Sequence, residues 1–200
     1  MSDHHAIRRL CVFCGSSAGT NPYYREVALN LGRDLAARRI ELIYGGGGIG
    51  LMGALADGTL AAGGRVTGII PSGLASKEVA HAYLTELRVV RTMHERKAEM
   101  ADLADAFLAL PGGMGTFDEL FEILTWAQLG IHRKPIGLLN IDHYFDPLIA
   151  MVDHAVREGF VSAHHRGLII TANSIDDWFD RLLNYQPPPI NTRWIGMQEV

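Results

Sequence analysis

The sequence predicts an α/β protein: one parallel, doubly wound sheet with helices on both faces, in a single domain. Three observations predict it. Short apolar runs that read as strands alternate with helical patterns along the whole chain, with no internal repeat and no linker. Several of these runs end in glycine turns that open a helix, at Gly45–Gly48 and at Pro111-Gly112-Gly113. The third is size: 200 residues with 48% apolar content suit one compact α/β domain with a sizeable core.

Composition also excludes some functions. A net charge of −4 gives no electrostatic footprint for nucleic acid. No apolar run approaches a membrane span, and the first residues lack a signal peptide's apolar centre, so a cytoplasmic protein without membrane partners is expected. Cys11 and Cys14 have redox-motif spacing, but the motif lies inside an apolar strand pattern. Residues three apart on a strand face opposite sides of the sheet, so core cysteines are expected rather than a pair or a metal site.

In chain order, residues 1–6 read as a flexible, polar start, and His4-His5 as solvated. Ile7–Cys14 is the first strand. Gly15, Ser16 and Ser17 follow it, where small hydroxyl residues can hold phosphate or ribose, or form an ordinary loop into a helix near Pro22. A helix over Pro22–Arg38 leads to a strand at Ile40–Tyr44 and a glycine run opening the helix Leu51–Ala62. The run matches G-x-G-x-x-G twice, but the next strand, Arg65–Ile70, does not end in the acid that a dinucleotide ribose needs. Phosphate contact through Gly46 and Gly47 stays open; an NAD site and an ATPase P-loop do not. Ser76, Lys77 and Glu78 form a charged segment of the kind that is usually solvated. Strand Leu87–Val90 passes into a helix on which Met93, Arg96, Met100 and Leu103 share one face. A guanidinium in an apolar stripe needs a carboxylate or phosphate beside it.

Next comes the stretch around which the chain is organised. Strand Ala106–Leu110 breaks at Pro111 into a glycine turn, and a helical pattern starts at Thr116. Strand, glycine turn and helix start make an anion site from free N–H groups and the helix dipole. Thr116 and Glu119 fit a capping box. However, Phe117, Leu120, Phe121, Ile123, Leu124, Trp126, Ala127 and Leu129 ring nearly the whole helix, so it is expected to be buried on most sides, against the sheet and against another chain. Glu119, Glu122 and Thr125 form a narrow polar line there, and carboxylates on such a helix need a partner or a chemical task. A strand at Ile136–Leu139, a helix at Phe145–Arg157, a strand at Leu168–Thr171 and a helix from Asn173 or Ser174 to Tyr185 complete the domain, 7–185. His164-His165 has no acid or cysteine at ligand spacing, so no metal is expected. Residues 186–200 form a tail that starts rich in proline. The loops after the strands at Gly15, Gly45, Arg96 and Pro111 gather on one sheet edge, where such folds bind ligands.

These residues together resemble a known family. Cys14-Gly15-Ser16-Ser17, Tyr44-Gly45-Gly46-Gly47, Gly50-Leu51-Met52-Gly53, Gly68-Ile69-Ile70-Pro71, Met93 with Arg96-Lys97, Pro111–Glu119 and Thr125–Gly130 recur in order. The set is similar to the "Lonely guy" family of cytokinin riboside 5′-monophosphate phosphoribohydrolases. The resemblance implies a Rossmann-like, usually dimeric fold that cleaves N6-substituted AMP to a free base and ribose 5-phosphate, without metal or redox cofactor. By position it implies that Glu119 and Arg96 are catalytic. It also implies that Lys97, Gly113, Met114, Gly115, Thr116 and Thr125 bind the nucleotide, with Glu78 matched by its distance from Arg96. Met114 stands where an aromatic residue is frequent, and Phe117-Asp118 replaces a common Leu-Glu pair; both departures bear on base preference.

Overall fold

The computed structural model describes residues 7–75 and 80–188. The expectations for residues 1–6, for Ser76, Lys77 and Glu78, and for the tail from 189 onward lie outside that range. Seven strands form one parallel sheet: β1 (Arg9–Phe13), β2 (Glu41–Tyr44), β3 (Val66–Pro71), β4 (Glu86–Val90), β5 (Ala106–Ala109), β6 (Ile136–Leu139) and β7 (Ile169–Ala172), in the order β4-β3-β2-β1-β5-β6-β7. The chain adds strands outward from β1 on one side as far as β4, then returns to add β5 on the other. The strand order therefore reverses between β1 and β5, the crevice where open α/β sheets bind ligands. Register is continuous across it, with Leu10 opposite Ala106 and Phe13 opposite Ala109.

The main helices are α1 (Pro22–Ala37), α2 (Gly50–Ala61), α4 (Met93–Leu103), α5 (Met114–Gln128), α6 (Asp146–Arg157) and α8 (Ile175–Leu183). Two single-turn helices, α3 (Ser72–Ala75) and α7 (Ala163–Arg166), and a 3-10 turn at Ile141–His143 had no readable period in the sequence. Side chains cap two of these helices: Asn21 accepts from Tyr23 N–H before Pro22, and Ser174, one of the two cap positions the sequence offered, accepts from Asp177 N–H.

Alternate residues of the strands feed two cores. Leu10, Val12, Leu42, Leu108 and Trp178 belong to one, and Cys11, Phe13, Ile43, Phe107 and Leu120 to the other. Cys14 lies in the first core and Cys11 in the second; both are free and buried, as their spacing predicted. Among the described residues, no helix is long and apolar enough to cross a membrane.

Candidate active site

Helix α5 starts earlier than its apolar period suggests. Gly113 is its N-cap, extended at φ −100° and ψ −155°, and no side chain caps it. The first turn is Met114-Gly115-Thr116, so Thr116 and Glu119 stand at the third and sixth helical positions and form no capping box. Met114 and Gly115 are exposed and carry no apolar pattern, which hid this turn in the sequence. Thr116 is instead buried behind the turn: a β-carbon on Gly112 would lie 2.1 Å from its Oγ1.

Glu119 points into the protein. It is paired with Arg96 of α4, Nη1 to Oε1 at 2.8 Å, and the two side chains are 9% and 6% exposed. Thr92 caps α4 by accepting from Glu95 N–H, which sets the helix that carries Arg96. The guanidinium also donates from Nε to the Ile69 carbonyl at 3.1 Å. It lies across bare backbone, because a β-carbon on Gly45 would come within 2.0 Å of Nη2. Among the glycines of that run, this close approach explains Gly45 directly. Burial pushes the Glu119 carboxyl above the usual carboxylate range, and the charge and hydrogen bond of Arg96 work against that rise. The same carboxylate reaches the end of β1 electrostatically: burial raises the Cys14 thiol, and Glu119 raises it further.

The polar line on α5 turns out to be split. Glu119 faces Arg96, whereas Glu122 takes Lys97 Nζ at 3.0 Å, with Asp118 on the other side of the ammonium at 3.1 Å. Burial disfavours the Lys97 charge, but these hydrogen bonds outweigh it and hold the pKa above the usual lysine value. Thr125 is exposed and donates to the Phe121 carbonyl of its own helix. Met114 is 85% exposed at the helix start. The buried residues of α5 are Thr116, Glu119, Leu120 and Ile123, a single stripe. In one chain, then, the helix is not covered on most sides; Phe117, Phe121, Leu124, Trp126 and Ala127 are only half-buried.

Beside the Pro-Gly-Gly turn lies a cavity of about 210 Å³, lined by Gly15, Ser16, Ser17, Ala18, Gly19, Tyr24, Leu51, Pro111, Gly112, Gly113 and Tyr144. The Gly15 loop is tied into it: Gly15 N–H donates to Pro111 O, and Leu51 N–H donates to Gly15 O. Gly46 and Gly47 do not line this cavity. Their carbonyls accept from His81 N–H and the Tyr44 hydroxyl, so part of the glycine run is engaged by its own chain. Tyr24 and Tyr144 had no signal as site residues in the sequence. One lies on α1, and the other arrives from the loop after β6.

Seven parallel strands, a glycine turn at the reversal point and a buried acid–arginine pair next to it define a Rossmann-like α/β protein with an enzyme-type site. A family model described as "Possible lysine decarboxylase" matches residues 52–182. A probable cytokinin riboside 5′-monophosphate phosphoribohydrolase of Oryza sativa subsp. japonica is 52% identical over 180 residues, covering 90% of this chain and 79% of the relative. A cytokinin riboside 5′-monophosphate phosphoribohydrolase of Arabidopsis thaliana is 50% identical over 180 residues, covering 90% and 83%. The chain belongs to this family of phosphoribohydrolases. Among solved structures, the molybdenum cofactor carrier protein of Chlamydomonas reinhardtii superposes with a TM-score of 0.67 at 20% identity, covering 90% of this chain and 100% of the carrier; the likeness shows the fold.

Among the described residues, the decarboxylase description finds little footing in the lysines. Lys97 is held charged by two carboxylates, the opposite of what a Schiff-base amine needs. Lys134 precedes β6, at the sheet edge away from the glycine turns, and donates to Ala101 O at 2.7 Å. Lys77 lies outside the described residues.

Proposed function

We propose that the protein hydrolyses the N-glycosidic bond of adenosine 5′-monophosphates, with N6-substituted forms included, to the free base and ribose 5-phosphate. The observation that carries this reading is the buried Glu119–Arg96 pair, two turns into a helix whose start is open. Cleavage of the bond between C1′ and the base nitrogen builds positive charge on the sugar. A nearby carboxylate stabilises that charge and takes a proton from the attacking water as the new C1′–O bond forms. The bond electrons leave with the base, which takes up a proton from solvent on departure. The proton taken from water by the carboxylate returns to solvent, so that one water is divided between C1′ and the base. Glu119 fills the carboxylate's role, and Arg96 favours its ionised form against the effect of burial and fixes its orientation. Gly113, Met114, Gly115 and Thr116 offer backbone N–H groups and a helix dipole to the 5′-phosphate. Gly15, Ser16 and Ser17 border the same turn and suit the phosphate or ribose. Lys97, held between Glu122 and Asp118, serves the nucleotide together with Thr125 and Glu78 from positions that the family resemblance suggests.

The test is Glu119→Gln. Base release from AMP and N6-isopentenyl-AMP should fall by roughly 10²- to 10⁴-fold. Ribose 5-phosphate binding by calorimetry should be retained. A variant as fast as the wild type removes the mechanism; a wild type that binds AMP yet frees no base is a carrier instead. Activity across AMP, N6-isopentenyl-AMP, GMP and CMP then fixes the base preference. The working form we propose is a cytoplasmic homodimer of single 7–185 domains.

A further inference from the structure

We infer that Tyr144 is a positioning residue for the phosphate end of the substrate, an inference that rests on the hydrolase reading above. It starts from the carbonyl oxygens of the Pro-Gly-Gly turn. An anion is repelled by carbonyls and held by N–H groups, so a turn that binds one must turn its oxygens away or neutralise them. In this turn all three are occupied. Pro111 O accepts from Gly15 N–H at 3.1 Å, Gly113 O accepts from Phe117 N–H at 3.1 Å, and Gly112 O accepts from the Tyr144 hydroxyl. Among the described residues, the N–H groups of Gly113, Met114 and Gly115 meet no acceptor.

The first two bonds are made by backbone. The third comes from a side chain 32 residues away, and it acts on the peptide most prone to flip. Gly112–Gly113 has glycine on both sides, and the peptide is trans, so its C=O and N–H point in opposite directions. Holding Gly112 O against Tyr144 therefore fixes where Gly113 N–H points. Without the hydroxyl, the peptide can turn its oxygen toward the anion.

The chain invests in placing that hydroxyl. Asp142 and His143, just before Tyr144, both adopt left-handed backbone, at φ 50° and φ 59°, which non-glycine residues rarely do. Asn140 braces the turn by donating to Asp146 and accepting from Phe145 N–H, each at 2.7 Å. Asn21 Nδ2 donates to Asp142 at 3.0 Å, and the Tyr24 ring meets the Tyr144 ring edge-on at 5.8 Å. The loop after β6 is thereby clamped to the start of α1, with Tyr144 in the cavity wall.

The experiment compares wild type with Tyr144→Phe, which removes the hydroxyl and keeps the ring on Tyr24. Ribose 5-phosphate and inorganic phosphate are titrated by calorimetry, and kcat and KM are measured with AMP. The expected result is an affinity for ribose 5-phosphate and phosphate weakened by about 3- to 10-fold. KM should rise in parallel, with kcat and the affinity for free adenine unchanged. A lowered melting temperature with unchanged ribose 5-phosphate affinity overturns the inference, as does a fall in kcat alone. If the wild type releases no base from any nucleotide, the hydrolase reading fails. The calorimetric comparison still decides whether Tyr144 serves an anion.

Discussion

A buried carboxylate is useful only in its ionised form here, and two opposing influences set when that form exists. Burial raises the Glu119 pKa, and Arg96 lowers it. Activity should therefore vanish as pH falls through a value above the ordinary carboxylate range, and the acid limb of kcat/KM should lie correspondingly high. Arg96→Met removes the lowering influence, so the limb moves to higher pH; a limb that stays put would show that the pair is not coupled to catalysis. The same substitution leaves a buried charge without its partner, a change that costs about 3–5 kcal/mol of stability if the site does not relax. Thermal unfolding above and below the shifted pKa separates the two effects, since protonating Glu119 relieves the unpaired charge. A partner for Arg96 was legible from spacing alone, because a guanidinium within an apolar stripe required one. The partition of the α5 carboxylates was not. Nothing in i, i+3 spacing says that Glu119 meets Arg96 while Glu122 meets Lys97, since that depends on how α4 and α5 cross.

At the scale of elements, the glycine turns do different jobs although they look alike in sequence. The run after β2 gives Arg96 room, whereas the turn after β5 exposes amides. Gly45→Ala tests the first job. Its methyl would sit 2.0 Å from Arg96 Nη2, so the guanidinium must leave Glu119 or Ile69 O. We expect kcat to drop by roughly tenfold or more through loss of alignment, with ribose 5-phosphate affinity preserved. Unchanged kcat would mean that the arginine's pose is not needed. The start of α5 was misplaced from the sequence for a related reason. A glycine N-cap leaves no side-chain signature, and an exposed first turn carries no hydrophobic period. Tyr144 was invisible for a different one. Its contact with Gly112 depends on left-handed backbone at Asp142 and His143, which residue type does not announce.

For the whole molecule, the alternation of apolar runs and helical periods was enough to foresee a parallel sheet, because strands buried on both faces must be continuously apolar. The strand order was not legible from that pattern, since local periodicity does not say on which side of β1 the chain resumes. The half-covered α5, with Leu129 and Ile131 exposed just beyond it, supports the proposed dimer. Sedimentation equilibrium should return twice the mass of one chain, and Leu129→Glu should shift the species toward one chain; a wild-type monomer would refute the assembly. Cys11 and Cys14 sit three residues apart but on opposite sides of the sheet, each shielded by a different set of helices. Timed alkylation followed by peptide mass spectrometry would thus read the breathing of the two layers separately, giving the protein a pair of built-in clocks, one per face.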